Sequence, residues 1–248
     1  MLDDRSYMRE PDWRPEAAQG GASWCLKLII INIVFFILQH TVDGFKNGLA
    51  LYPARLAQGY VWELITFQFL HGDLFHILIN CAMIWFIGRQ IEESLGKIKF
   101  LSIYLIAGIF GGLFQCMLVW AGINEVVRDV DGKTVEVVVG VVGASAGIFG
   151  LLSAFAMLYW NRELTLLIMF ILPVRMKAKY LLVALAVIGI LGIVSSDPGI
   201  AHGAHLGGMI WGVMYILLFV QGGTMSGAPP LWNRVRDRKS SGKSGRRK

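Results

Sequence analysis

The chain has 248 residues, 55% of them hydrophobic and only 16% charged, and a mean hydropathy of +0.58. That balance excludes an ordinary water-soluble globular domain and makes membrane embedding the starting expectation. Its three cysteines, Cys25, Cys81 and Cys116, lie in or beside apolar runs without paired spacing, which argues against a disulfide framework or a thiolate metal site. The net charge of +6 takes its meaning from where the charges fall.

Residues 1–22 are polar, carry charges of both signs and two prolines, and read as a short cytoplasmic tail without a secretory signal. Apolar stretches follow at residues 24–40, 75–90, 100–122, 137–160, 180–194 and 201–220. Their lengths suit spanning helices, so the expected fold is all-α: a six-transmembrane-helix bundle over residues 23–222. A further apolar piece, residues 164–174, contains Pro173, is too short to cross, and is expected to be an interfacial loop. Residues 223–248 form a basic Ser/Gly/Lys/Arg segment, expected to be a disordered cytoplasmic tail.

Six spans place both termini on one side. The termini and the loops after the second and fourth spans then hold 19 of the 23 Lys and Arg residues; the opposite loops hold only Lys46, Arg55, Arg128 and Lys133. This asymmetry predicts cytoplasmic ends, accounts for the basic tail without a nucleic-acid partner, and leaves the lipid bilayer as the expected surroundings. The compact chain with no targeting segment points to a plasma membrane of the bacterial inner type.

Even-numbered spans would then descend from the outside, and the few polar residues within spans cluster near their outer ends. His76 and Asn80 are four apart at the top of the second span, Ser145 is near the top of the fourth, and His202 and His205 near the top of the sixth. Polar groups in a bilayer are costly and face a bundle interior or a wet cavity, so their convergence is a site hypothesis. Gly140, Gly143, Gly147 and Gly150 crowd around Ser145. A helix starting near Ser145 would be about 16 residues, roughly 24 Å long at 1.5 Å per residue, and too short to cross. The residues before it would enter the membrane as irregular backbone, tolerated only where protein covers it or water lines it. Ser145 would sit at a helix N-terminus, where free N–H groups favour developing negative charge.

Gly143-Ala144-Ser145-Ala146-Gly147 fits the Gly-x-Ser-x-Gly pattern of soluble hydrolases, but the strand–turn–helix context that reading requires is missing. Small residues at this spacing also let membrane helices pack closely, so on the motif alone packing stands beside catalysis. Gly208 and Gly212 make a small-residue face one turn beyond His205, matched by Gly147 and Gly150; packing of the two faces would bring His205 to Ser145, where it could act as a base. His76 and Asn80 either cross-link helices or donate hydrogen bonds to an oxyanion, together with the Ser145 N–H. His71, Asp73 and His202 could complete a metal cluster, but the His-Glu-x-x-His pattern is absent, so no metal is expected. No motif calls for a cofactor.

These residues resemble the rhomboid family of intramembrane serine proteases. The resemblance covers about residues 24–221 and rests on Gly-Ala-Ser at 143–145 followed by Ile148-Phe149-Gly150, on His76-x-x-x-Asn80, and on Ala204-His205-x-x-Gly208, in the family's order. It implies a Ser145–His205 dyad without an acidic third member, an oxyanion hole from His76, Asn80 and the Ser145 amide, and Phe149 stacked near the histidine. It also implies single-span membrane proteins as substrates. Two departures stand out. Ala146 replaces a frequent Gly, which would narrow the approach to the nucleophile, and Glu63 follows Trp62 where the family usually has Trp-Arg, so the first outer loop must be anchored in its own way. The rivals are a catalytically silent, client-binding member of the same fold, which usually lacks Ser or His, and a transporter, which would want deep charges or paired inverted repeats. Oligomeric state leaves no signal in the sequence.

Overall fold

The computed structural model describes residues 23–123, 127–130, 133–136, 140–168, 172–195 and 200–221; the two expected tails lie outside the described residues. Among the described residues, five helices are long and apolar enough to cross a membrane: α1 (Trp24–Thr41), α2 (Leu74–Leu95), α3 (Lys97–Trp120), α5 (Ala178–Ser195) and α6 (His202–Val220). Between α3 and α5 stands α4 (Ser145–Leu158), of 14 residues. At 1.5 Å per residue it is about 21 Å long, well short of a hydrocarbon core of about 30 Å. The expected truncated helix beginning at Ser145 is therefore present. This short helix stands where the fourth span, residues 137–160, is expected, and residues 140–144 before it lie outside any helix.

Local chemistry sets the helix ends. Ser23 caps α1, accepting from the Cys25 N–H, and Glu92 of α2 reinforces the cap by accepting from the Trp24 N–H at 2.9 Å and the Cys25 N–H at 3.1 Å. Asp73 caps α2 through its Oδ1, which accepts from the His76 N–H at 2.8 Å. The second span runs past its expected end at residue 90 because a π-helical turn, Ile84–Gly88, carries it on into Arg89–Leu95. Gly96, with φ of 86°, makes the tight reversal into α3.

The bundle is layered around α4. Ten of its 14 residues are buried, against four of 18 in α5. The core gathers Phe100, Ile103 and Tyr104 of α3 with Leu151 and Phe155 of α4. The outward faces of α1, α2 and α5 carry exposed Ile30, Ile37, Phe75, Phe86, Val187 and Leu191, as expected of surfaces that meet lipid tails.

Residues 164–174 correct the expectation of an interfacial loop. Glu163–Ile168 (β3) pairs antiparallel with Leu172–Lys177 (β4), Leu164 opposite Met176 and Thr165 opposite Arg175. The physical reason is a period of two: Leu164 and Met176 pack against the core, while Thr165 and Arg175 are exposed. A second antiparallel pair, β1 (Val127–Val130) with β2 (Lys133–Glu136), follows α3; Asp131-Gly132 between them in the sequence is a favoured hairpin dipeptide. Both hairpins are appendages of a helical bundle.

Candidate active site

The loop between α1 and α2 folds into short helical turns, Phe45–Leu49, Pro53–Ala57 and Glu63–Thr66, and it holds the segment leading to Ser145. Leu51 and Val141 exchange backbone hydrogen bonds of 3.1 and 2.8 Å, and the Gly143 N–H donates to the Phe67 carbonyl at 2.9 Å. Gly143 has φ of 128°, backbone that glycine alone adopts readily, and the turn delivers Ser145 as the first residue of α4. The serine thus stands where the helix leaves its first N–H groups without intrahelical partners.

His205 occupies the first turn of α6, and its Nε2 lies 2.7 Å from the Ser145 Oγ. The Phe149 ring, one turn along α4, stacks on the imidazole at 4.2 Å between centroids and 7° between planes. His202 meets it edge-on at 6.2 Å. Ser145, Phe149, His76 and His205 are half-buried.

His76 flanks the serine from α2. A methyl group built on Gly143 would lie 2.8 Å from the His76 Nε2 and 3.6 Å from the Ser145 Oγ, so a side chain at 143 would collide with the imidazole. The Gly72 N–H donates to the His76 Nδ1 at 3.2 Å. Nδ1 is therefore the acceptor and the ring proton is assigned to Nε2, the nitrogen that faces the Ser145 turn. Asn80 follows one turn later, buried, and its Nδ2 has no hydrogen-bond partner among the described residues. The His76 ring thus borders the turn at the α4 N-terminus, and Asn80 carries a buried, unpartnered donor one turn further along α2.

The α4–α6 contact differs in detail from the expected pairing. A methyl on Gly212 would collide with the Gly150 carbonyl and the Ser153 hydroxyl, as anticipated for that face. Gly208, however, lies against the Ala146 carbonyl, while Gly147 faces Tyr104 of α3. Ala146 is buried, and its methyl points toward Gly111 of α3. Its bulk is absorbed at a three-helix junction.

Asp73 caps α2, and among the described residues no three His, Cys, Asp or Glu side chains gather around a common point. His71 is fully buried, edge-on to His76 at 5.1 Å. The structural roles of three residues escaped the sequence reading. Asp73 was visible as an N-cap residue three before His76. Gln115, whose Oε1 accepts from the Ala204 N–H at 3.2 Å, ties α3 to the start of α6 but left no signal beyond being polar within a span. Leu51 gave none, because a single bridge residue has no periodicity.

A polytopic helical membrane protein with a serine and a histidine in hydrogen-bond contact at one end of its bundle is the class that fold and geometry define. Residues 58–222 match the Rhomboid domain, and the chain belongs to the rhomboid family of integral membrane proteins. It is 29% identical over 215 residues to Rhomboid protease AarA of Providencia stuartii, covering 81% of this chain and 74% of that protein. It is 26% identical over 230 residues to RHOMBOID-like protein 7 of Arabidopsis thaliana, covering 77% and 64%. Inactive RHOMBOID-like protein 8 of Arabidopsis thaliana is 36% identical over 59 residues, only 24% of this chain.

Proposed function

We propose that this chain is an intramembrane serine endopeptidase that cleaves membrane proteins, with single-span proteins as its substrate class. The observation that carries this reading is the 2.7 Å contact between the His205 Nε2 and the Ser145 Oγ, within reach for direct proton transfer. Neutral His205 takes the hydroxyl proton as Ser145 attacks the scissile carbonyl, and it returns that proton to the leaving amine. Water then resolves the acyl-enzyme with His205 as base again. The His76 Nε2–H, the Asn80 amide and the Ser145 N–H stabilise the tetrahedral oxyanion, a role supported by the His76 tautomer and the unpartnered Asn80 donor. The stacked Phe149 ring holds the imidazole in its attack rotamer.

The proposed setting is a plasma membrane of the bacterial inner type, with cytoplasmic termini and the site opening to the opposite side, a topology supported by the Lys and Arg asymmetry. In proteoliposomes, a fluorophosphonate probe should label wild type at Ser145 and leave Ser145→Ala and His205→Ala unlabelled, and only wild type should cut a single-span reporter. Cleavage that persists in Ser145→Ala would end the assignment. Wild type that binds the reporter but neither cuts it nor reacts with the probe would instead be a silent client-binding protein.

A further inference from the structure

Glu63 is fully buried in the loop between α1 and α2, where a carboxylate without partners would not be tolerated. Its Oε1 meets the Arg55 Nη2 at 2.7 Å, and its Oε2 accepts from the Tyr52 N–H at 2.9 Å. The guanidinium lies 4.8 Å from the Tyr60 ring and 5.3 Å from that of Tyr52, and its Nη1 donates to the Asn47 carbonyl. One planar cation thus joins two aromatic rings, a loop carbonyl and the buried acid, a geometry that lysine cannot reproduce.

The clamp stands between two backbone ties that fix the approach to Ser145. Tyr52, held by the Glu63 side chain, is adjacent to Leu51, which pairs with Val141. The Glu63 backbone opens the turn Glu63–Thr66, which runs into Phe67, the acceptor of the Gly143 N–H. Side chain and main chain of one residue therefore connect both ties on residues 141–143. The Tyr52 ring also covers Gly140, where a methyl would lie 2.6 Å from its Cζ.

We propose that Arg55 and Glu63 form a charge clamp that positions the Val141–Gly143 backbone, and through it Ser145, as positioning residues for the reaction. The clamp answers the Trp62-Glu63 departure: this loop is anchored by an acid at 63 and a cation supplied from 55. The kinetic consequence rests on the protease reading above; the structural one does not. Losing the clamp lets the segment shift by a fraction of an ångström, which acts on turnover rather than on substrate binding.

The test compares full-length wild type, Glu63→Gln, Arg55→Lys and Arg55→Met in proteoliposomes. The measurements are reporter kcat and KM, apparent Tm, and amide exchange at Leu51 and Val141. Folded Glu63→Gln should lose about ten- to a hundredfold in kcat with KM within about threefold. Its Leu51 and Val141 amides should exchange about tenfold faster or more, as a loosened bridge requires. Arg55→Lys should recover part of what Arg55→Met loses. Wild-type kcat and wild-type exchange in folded variants would overturn the clamp, and so would a lowered Tm with kcat per folded molecule unchanged. If Glu63→Gln does not fold, the Arg55 pair decides by the same criteria. If wild type neither cleaves nor labels, the protease reading falls, and the exchange measurement alone decides whether the clamp holds the bridge.

Discussion

Gly208→Ala tests the geometric core of the site, because one methyl added there acts on a bond it does not touch. In the structure that methyl would overlap the Ala146 carbonyl oxygen, with the carbonyl carbon 2.9 Å and the Ala146 Cα 3.3 Å away. The carbonyl oxygen is the nearest of these atoms, so α6 must retreat from α4 by about 1 Å to restore ordinary contact. His205 precedes Gly208 by one helical turn and moves with it. The 2.7 Å contact to Ser145 then stretches to roughly 3.5 Å, outside hydrogen-bond range. The expected cost is about a hundredfold in kcat and in the rate of fluorophosphonate labelling, with about 1–3 kcal/mol of stability lost to overpacking. The control is Gly189→Ala on α5, where the new methyl would meet Leu206 at an ordinary 3.8 Å; it should label at the wild-type rate. Labelling of Gly208→Ala at that same rate would refute the view that close packing of α4 on α6 sets the dyad.

Asn80→Ala should lower reporter turnover by about ten- to a thousandfold while Ser145 still reacts with the probe, since it removes an oxyanion donor and not the nucleophile; turnover equal to wild type would remove Asn80 from the site. His71, in the loop before α2, has its imidazole pushed down to about 3 by burial, with the neighbouring His76 adding to the shift. Between its ordinary 6.5 and about 3 the unfolded chain holds a proton that the folded one refuses, so stability falls with pH through that window, by roughly 2 kcal/mol at pH 5. The apparent Tm of wild type should therefore drop more between pH 7 and pH 5 than that of His71→Leu, and parallel drops would contradict the account. Glu92→Ala removes an acceptor shared by the Ser23 hydroxyl and the Trp24 and Cys25 N–H groups. It should cost about 1–3 kcal/mol, read as a lower Tm, with Ser145 labelling of the folded protein unchanged; slowed labelling at constant Tm would show that the cap serves the site instead.

The site was more legible in the sequence than the parts that hold it. Ser145, His76, Asn80 and His205 stand out because hydrocarbon makes polar residues conspicuous, and the start of α4 could be placed from glycine density and the length the bilayer demands. The β3–β4 hairpin was hidden because Leu166 to Leu172 is almost continuously apolar, which drowns the alternation visible only at its base. The end of α2 was misplaced because Arg89, Glu92 and Glu93 looked like the close of a span, whereas Glu92 is buried as a cap on α1. The phase of α4 could not be read either. Whether Ala146 or Gly147 meets Gly208 depends on which side α3 occupies, and Tyr104 carried no mark setting it apart from other span aromatics.

That phase explains why the short helix is the best-packed element of the bundle. Lipid tails are as apolar as leucine, so helices in a membrane gain little from burying apolar area and associate through close contact and hydrogen bonds. α4 meets Tyr104 and Ala107 of α3 at Gly147 and Gly150, and Gly208 and Gly212 of α6 at Ala146 and Gly150. Each glycine lets backbones approach at a level within two turns of Ser145. Side-chain-poor contacts leave few rotamers to relax, so helix positions, and with them the serine–imidazole separation, are fixed by main-chain atoms. Substitutions that enlarge any of these residues should therefore act on turnover in proportion to the helix displacement they force, whichever helix carries them. Gly111→Ala on α3, whose methyl would strike the Ala204 carbonyl and come within 2.9 Å of the Ala146 methyl, should slow Ser145 labelling about as much as Gly208→Ala. A wild-type rate there would mean that the α3 contact tolerates motion that the α6 contact does not.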